Sequence, residues 1–84
     1  MVSPEHIRQE IQRSVSRITG LPAERILDGS TYRDDLGLDS LSMLEMTVDM
    51  QYAFKVKIPD ERLPEIVTVG DSVRLVEELV AAKD

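Results

Sequence analysis

Three stretches of this chain carry apolar residues at intervals of three and four, and nothing in it alternates over the length of a strand. A chain patterned this way buries its hydrophobic side chains by packing helices on one another, which makes it an all-α protein. Ile7, Ile11, Val15 and Ile18 form the first stripe. Ser3-Pro4-Glu5 suits a helix start, because Ser caps free amides, Pro fits the first turn and Glu faces the positive end of the dipole. Gly20 and Pro22 end the pattern, so the first helix is predicted over Pro4 to Thr19. A second helix is predicted from Ser40 to Phe54, with Leu41, Leu44, Val48 and Tyr52 on a buried stripe and Met43, Met46, Met50 and Phe54 widening it. The third begins at Thr68-Val69-Gly70-Asp71, a capping box with Asp in place of Glu, continues through Val69, Val73, Val76 and Val80 with Leu75 and Leu79, and frays after about Ala82. A short, weak and mobile helix is expected over Glu61 to Ile66, where Pro64 removes an amide and crowds the preceding turn. Val56 and Ile58 alternate with lysines over too short a run to support a sheet. The expected fold is a small bundle of three main helices plus one short helix.

Between the first two helices lies a long stretch, Leu21 to Asp39, rich in turn formers such as Pro22, Asp28-Gly29-Ser30 and Gly37. Connections of this length are uncommon in so small a domain and are usually functional or disordered. Leu21, Ile26, Leu27, Tyr32, Leu36 and Leu38 favour an ordered loop that crosses the bundle and plugs its core, with a short helical turn near Pro22 to Ile26.

The 84 residues are enough for one core and too few for two. Without Cys the chain has neither disulfides nor a thiolate metal site, and any thiol chemistry must use a thiol that it does not encode. Sixteen acids against ten bases give a net charge of −6, which disfavours nucleic acid and suits partners with basic surfaces. The same self-repulsion should make the fold firmer in added salt. No run approaches the roughly 20 apolar residues of a membrane span, and the first ten residues lack the basic and apolar pattern of a leader, so a cytoplasmic monomer is expected. The single His6 falls in the first polar turn, where a solvated side chain is the ordinary outcome.

The informative segment is Asp34-Asp35-Leu36-Gly37-Leu38-Asp39-Ser40-Leu41, where the long loop meets the second helix. Asp39 or Ser40 can cap that helix, and Gly37 allows a turn. A calcium loop does not fit. Counting from Asp34, the third and fifth positions are Leu36 and Leu38; counting from Asp28, the sixth is Arg33 and not Gly. A hydrolytic serine needs a base, and the sole His lies far away in sequence, so no catalytic residue and no metal site is assigned.

With its Asp-Leu-Gly-Leu-Asp-Ser-Leu run, Glu45 five residues after the serine, Phe54 closing the helix, and Ile58-Pro59-Asp60-Glu61 followed by Ile66 to Val69, the chain resembles the acyl carrier proteins. The resemblance covers nearly the whole chain, and a chain that starts at Met1 and opens at once into a helix reads as a freestanding, type II carrier, residues 1–84 forming a single acyl carrier domain. It implies that Ser40 receives a 4′-phosphopantetheine arm from coenzyme A through a separate Mg²⁺-dependent phosphopantetheinyl transferase, with Asp39 helping to hold the metal during transfer. The arm then supplies the only thiol, on which acyl groups ride as thioesters, and a helix amino terminus favours the phosphate it would carry. Catalysis belongs to partner enzymes, among them ketosynthase and acyltransferase. Asp34, Asp35, Asp39, Glu45 and Asp49, with no Lys or Arg between Asp34 and Phe54, would steer basic docking patches toward Ser40. Asp34, Asp35, Leu41, Glu45 and Asp49 are the candidate docking residues, and Met43, Met46, Val48, Ile66 and Val73 the candidate lining of an acyl pocket.

The chain departs from fatty-acid carriers at Ser42, Gln51 and Tyr52, and again at Lys55, Lys57 and Arg62, where such carriers tend to be acidic. Polyketide and other specialised synthases therefore join fatty-acid synthases as expected partners. The alternatives are a carrier of aminoacyl or peptidyl intermediates, which Leu38-Asp39 fits poorly, and a helical interaction module without an arm.

Overall fold

The computed structural model of the protein describes residues 2–83. Its helices are α1 (Pro4–Thr19), α2 (Ser40–Phe54) and α3 (Val69–Lys83), with 3₁₀ turns at Ala23–Arg25 and Asp60–Glu65. Each predicted boundary has a local cause. Ser3 Oγ accepts from the His6 amide at 3.1 Å and starts α1. Gly20, with φ +79°, ends it in the left-handed region, its amide donating to the Ser16 carbonyl. The Thr68 box closes reciprocally: the Thr68 amide donates to Asp71 Oδ2 at 3.0 Å and the Asp71 amide to Thr68 Oγ1 at 3.1 Å. The Thr68 amide foremost, with the Thr68 hydroxyl and the Val67 amide, holds the Asp71 carboxylate below the ordinary range. α2 ends at Lys55, a non-glycine residue at φ +54°. The element read as a weak helix near Pro64 is a 3₁₀ turn.

α1 packs against both α2 and α3. Ile7, Ile11 and Val15 of α1 meet Met46, Met50 and Phe54 of α2 and Val69, Val73, Leu75 and Val76 of α3 in one core. The long first connection completes it by burying Ile26, Tyr32, Leu36 and Leu38. Leu27, expected among them, is exposed at 61%, because the turn beyond it folds back through Ser30 and points that side chain outward. His6 is exposed and stands edge-on to the Phe54 ring at 5.5 Å.

That connection is sewn to the chain before α3. The Tyr32 amide donates to the Val67 carbonyl, the Val69 amide to the Ser30 carbonyl, and the Gly70 amide to the Asp28 carbonyl at 2.8 Å. A Cβ at Gly70 would meet the Asp28 carbonyl oxygen at 3.2 Å, so Gly suits this close approach. The fully buried Tyr32 hydroxyl bonds to Ser72 Oγ, and Ser72 donates in turn to the Val69 carbonyl at 2.8 Å. Burial pushes the Tyr32 phenol well above its ordinary pKa. Asp28 and Arg8 close the outer edge, their paired hydrogen bonds at 2.6 and 2.8 Å holding the Asp28 carboxylate low.

Of the broad apolar face predicted for α2, only the methionine side with Phe54 is turned inward. Leu41, Leu44, Val48 and Tyr52 are the exposed side of the helix, Leu41 at 66% and Tyr52 at 82%. Met46, Thr47, Met50 and Phe54 face the core. Apolar residues cover both sides of α2, so helical period finds two stripes and cannot choose between them.

Candidate functional site

Two backbone devices set the position of Ser40. The Thr31–Asp35 pair braces the turn before it, the Thr31 amide donating to Asp35 Oδ2 at 2.8 Å and the Asp35 amide to Thr31 Oγ1 at 3.0 Å. Gly37, with φ +74°, then reverses the chain, and the Leu38 amide returns to the Tyr32 carbonyl at 2.9 Å. Because Tyr32 is anchored in the core, the turn that delivers Ser40 is fixed from below.

Sequence left open whether Asp39 or Ser40 caps α2. Asp39 is the cap: its backbone is extended and its Oδ1 accepts from the Ser42 amide at 2.8 Å. The Ser42 amide is also the main reason that the Asp39 carboxylate titrates below the ordinary range. Ser40 is the first helical residue and is exposed. Among the described residues its hydroxyl accepts one hydrogen bond, from Arg33 Nη2 at 3.0 Å, and donates none. The oxygen is thus accessible, and its proton is not engaged by the fold.

A groove of about 530 Å³ opens beside this hydroxyl. One wall is α2, through Ser40, Met43, Leu44 and Thr47; the other is the second 3₁₀ turn and the residue that ends it, through Leu63, Pro64 and Ile66. Thr47 contributes its methyl group, because its hydroxyl donates to the Leu44 carbonyl at 2.8 Å. Arg33 and Asp34 stand at the mouth with Ser40.

The predicted pocket residues divide. Met43 and Ile66 line the groove. Met46 and Val73 lie in the core, at 1% and 4% exposure, and do not line it. Val48 lies on the outer face of α2, beside Leu44 and Glu45. Leu44, Thr47 and Leu63 were missed, although one signal could have found two of them. Residues three, four and seven after Ser40 share its helix face, and they are Met43, Leu44 and Thr47.

The candidate docking residues also divide. Asp34, Leu41 and Glu45 are exposed around Ser40. Asp35 is exposed but braces the turn through Thr31. Asp49 is turned to α1, accepting from Ser14 Oγ at 2.6 Å and from Arg17 at 2.5 Å. Its carboxylate ties two helices, a contact with no trace in the spacing of acids along α2. No group of three or more His, Asp or Glu side chains able to hold a metal ion occurs among the described residues. None of their helices is long and apolar enough to cross a membrane.

Comparison with known proteins gives the family. Residues 9–76 match the family model described as "Phosphopantetheine attachment site". The acyl carrier protein of Kineococcus radiotolerans is 37% identical over 78 residues, covering 93% of this chain and 96% of the relative. That of Sinorhizobium fredii is 36% identical over 75 residues, 89% and 96% of the two chains. That of Rhodococcus erythropolis is 38% identical over 77 residues, 92% and 85% of the two chains. The site offers an exposed hydroxyl at a helix start with a groove beside it, in a chain that has no thiol of its own. The chain belongs to the acyl carrier protein family, whose members carry acyl groups as thioesters on 4′-phosphopantetheine.

Proposed function

We propose that residues 1–84 act as one acyl carrier domain and that Ser40 is the residue to which the arm is joined. The observation that carries this reading is the division of labour at the α2 start: Asp39 caps the helix, and Ser40 Oγ stays exposed with its proton unengaged. Loading by a transferase joins Ser40 Oγ to the β-phosphorus of coenzyme A, breaks the bond from that phosphorus to the bridging oxygen, and releases adenosine 3′,5′-bisphosphate, with the serine proton passing to the transferase. The arm, once bound, supplies the thiol that forms the thioester. Asp39 precedes Ser40 in the chain and has its carboxyl held low by the Ser42 amide, which suits a part in holding the transferase's Mg²⁺.

The chain's own residues then present and shelter the cargo. Met43, Leu44, Thr47, Leu63 and Ile66 offer an apolar bed next to the arm's root. Asp34, Glu45 and the exposed Leu41 form a docking surface for basic patches on the transferase and on ketosynthase, acyltransferase and other fatty-acid or polyketide synthase enzymes. Asp35 and Asp49 add charge to that surface while bracing the fold. The exposed Tyr52 and Val48 extend it with apolar contact, which supports partners adapted to this chain. The chain itself performs no catalytic step.

Intact mass after incubation with coenzyme A and a broad-specificity phosphopantetheinyl transferase tests the assignment. The wild type should gain one arm and Ser40→Ala none. A Ser40→Ala variant that still gained the arm would overturn it.

A further inference from the structure

We propose that Arg33 is a phosphodiester-binding residue: once Ser40 carries its arm, the Arg33 guanidinium holds the phosphate and lays the root of the arm over the groove. This rests on Ser40 being the attachment point.

Three observations carry the inference. The first is contact, since Arg33 Nη2 already lies 3.0 Å from Ser40 Oγ, seven residues away in sequence and across the turn. Phosphorus is one bond beyond Oγ, and the two non-bridging oxygens that share its single charge are one bond beyond phosphorus, so they fall within reach of the same guanidinium. The second is that the charge is free. The ion pairs among the described residues belong to Arg8, Arg13, Arg17, Arg62 and Arg74, and none to Arg33. Of the nearby acids, Asp35 is engaged with the Thr31 amide and Asp39 with the Ser42 amide, and the exposed Asp34 makes no ion pair with Arg33. The third is support. The Arg33 backbone is pinned, its carbonyl accepting from the Gly37 amide at 3.1 Å and its neighbour Tyr32 locked in the core.

The chemistry matches. A phosphodiester is a permanent monoanion, and a guanidinium offers it a planar fork of donors that an ammonium cannot reproduce. Without Arg33 that anion would join Asp34, Asp35 and Asp39 in an all-negative setting. Because Arg33 and Ser40 share the mouth of the groove, a phosphate held by Arg33 sends the rest of the arm along Met43 and Ile66 instead of outward. The contact is exposed, so its expected size is that of a surface charge pair, a two- to fivefold bias in the arm's position, roughly.

Loading is checked first by intact mass; a wild type that gains no arm, or a Ser40→Ala variant that does, fails the attachment reading and not this one. With loading complete, phosphorus NMR of the holo forms of wild type, Arg33→Gln and Arg33→Lys reads the contact. The wild-type signal should differ in shift and width from that of Arg33→Gln, Arg33→Lys should fall between them, and strong salt should move the wild type toward the Gln variant. The Arg33 Nε–Hε resonance should also move between apo and holo protein. Identical phosphorus signals in wild type and Arg33→Gln, with an unmoved Arg33 resonance, would overturn the proposal. Since Arg33 is exposed, both variants should melt with the wild type, so a lost contact is not a lost fold.

Discussion

The two connections that flank α2 are built in contrasting ways. The one before it is the longer, yet it sinks Ile26, Tyr32, Leu36 and Leu38 into the core and is hydrogen-bonded by its backbone to residues 67–70. The one after it buries Ile58 and Ile66; its last residues, Val67 and Thr68, share that backbone pairing, and before them it is tied to the helices largely by side chains. Gln51 Oε1 accepts from the Ile58 amide at 2.8 Å, and Arg62 reaches Glu65 and Glu78, each at 2.6 Å. Backbone bonds under a buried tyrosine resist opening more than exposed ion pairs do. The end that presents Ser40 is therefore the firm one, and the opposite wall of the groove is the yielding one. A carrier needs both, a fixed point of attachment and a wall that gives way to cargo.

The largest expected effect tests the firm side. Tyr32→Ala should lose about 3–5 kcal/mol in urea unfolding, the range for emptying a large buried aromatic site. Ile66→Ala should cost less, near 2 kcal/mol, the low end for such a truncation, because the yielding wall can settle into the space. Equal losses at the two sites would break the contrast.

Acid titration gives a smaller effect that separates the two sides. Asp28 is held low by Arg8, Asp71 by the Thr68 amide and Glu78 by Arg62. Each folded pKa lies below its unfolded value, so these contributions are complete above about pH 5 and fade as pH falls through the folded values. Arg62→Gln should remove the Glu78 share of that acid loss. It should also speed amide exchange at Ile66 while leaving Tyr32 protected, and unchanged exchange at Ile66 would show that the ion pairs do not hold the wall. The smallest effect is a gain. Lys55→Gly relieves a left-handed residue at the end of α2 and should add about 0.5–1 kcal/mol by thermal or urea unfolding.

The firm and yielding sides also differ in how readily they are read from the chain. The helix ends were legible because specific letters create them: Ser3-Pro4, Gly20 and the Thr68–Asp71 box each satisfy stray backbone groups in a fixed geometry. Burial of Tyr32, Leu36 and Leu38 was legible too, since apolar residues in an aperiodic loop have few other uses. The inward face of α2 was not, because its two apolar stripes compete and only the position of α1 decides between them. The tie from Asp49 to Ser14 and Arg17, and the approach of Arg33 to Ser40, join residues through space and leave no mark on local spacing.

The separation of cap from hydroxyl at Asp39-Ser40 has a further consequence, for inheritance more than for mechanics. Since the helix start depends on the aspartate, the serine can be exchanged for alanine or cysteine at almost no cost in folding, and under the proposed attachment at Ser40 such a change would yield intact but unloadable copies. Under the proposed docking reading, such copies would still offer the same acidic surface and occupy partners without delivering anything. A silent carrier of this kind is one substitution away, and it would act in the cell as a competitive decoy for its own parent.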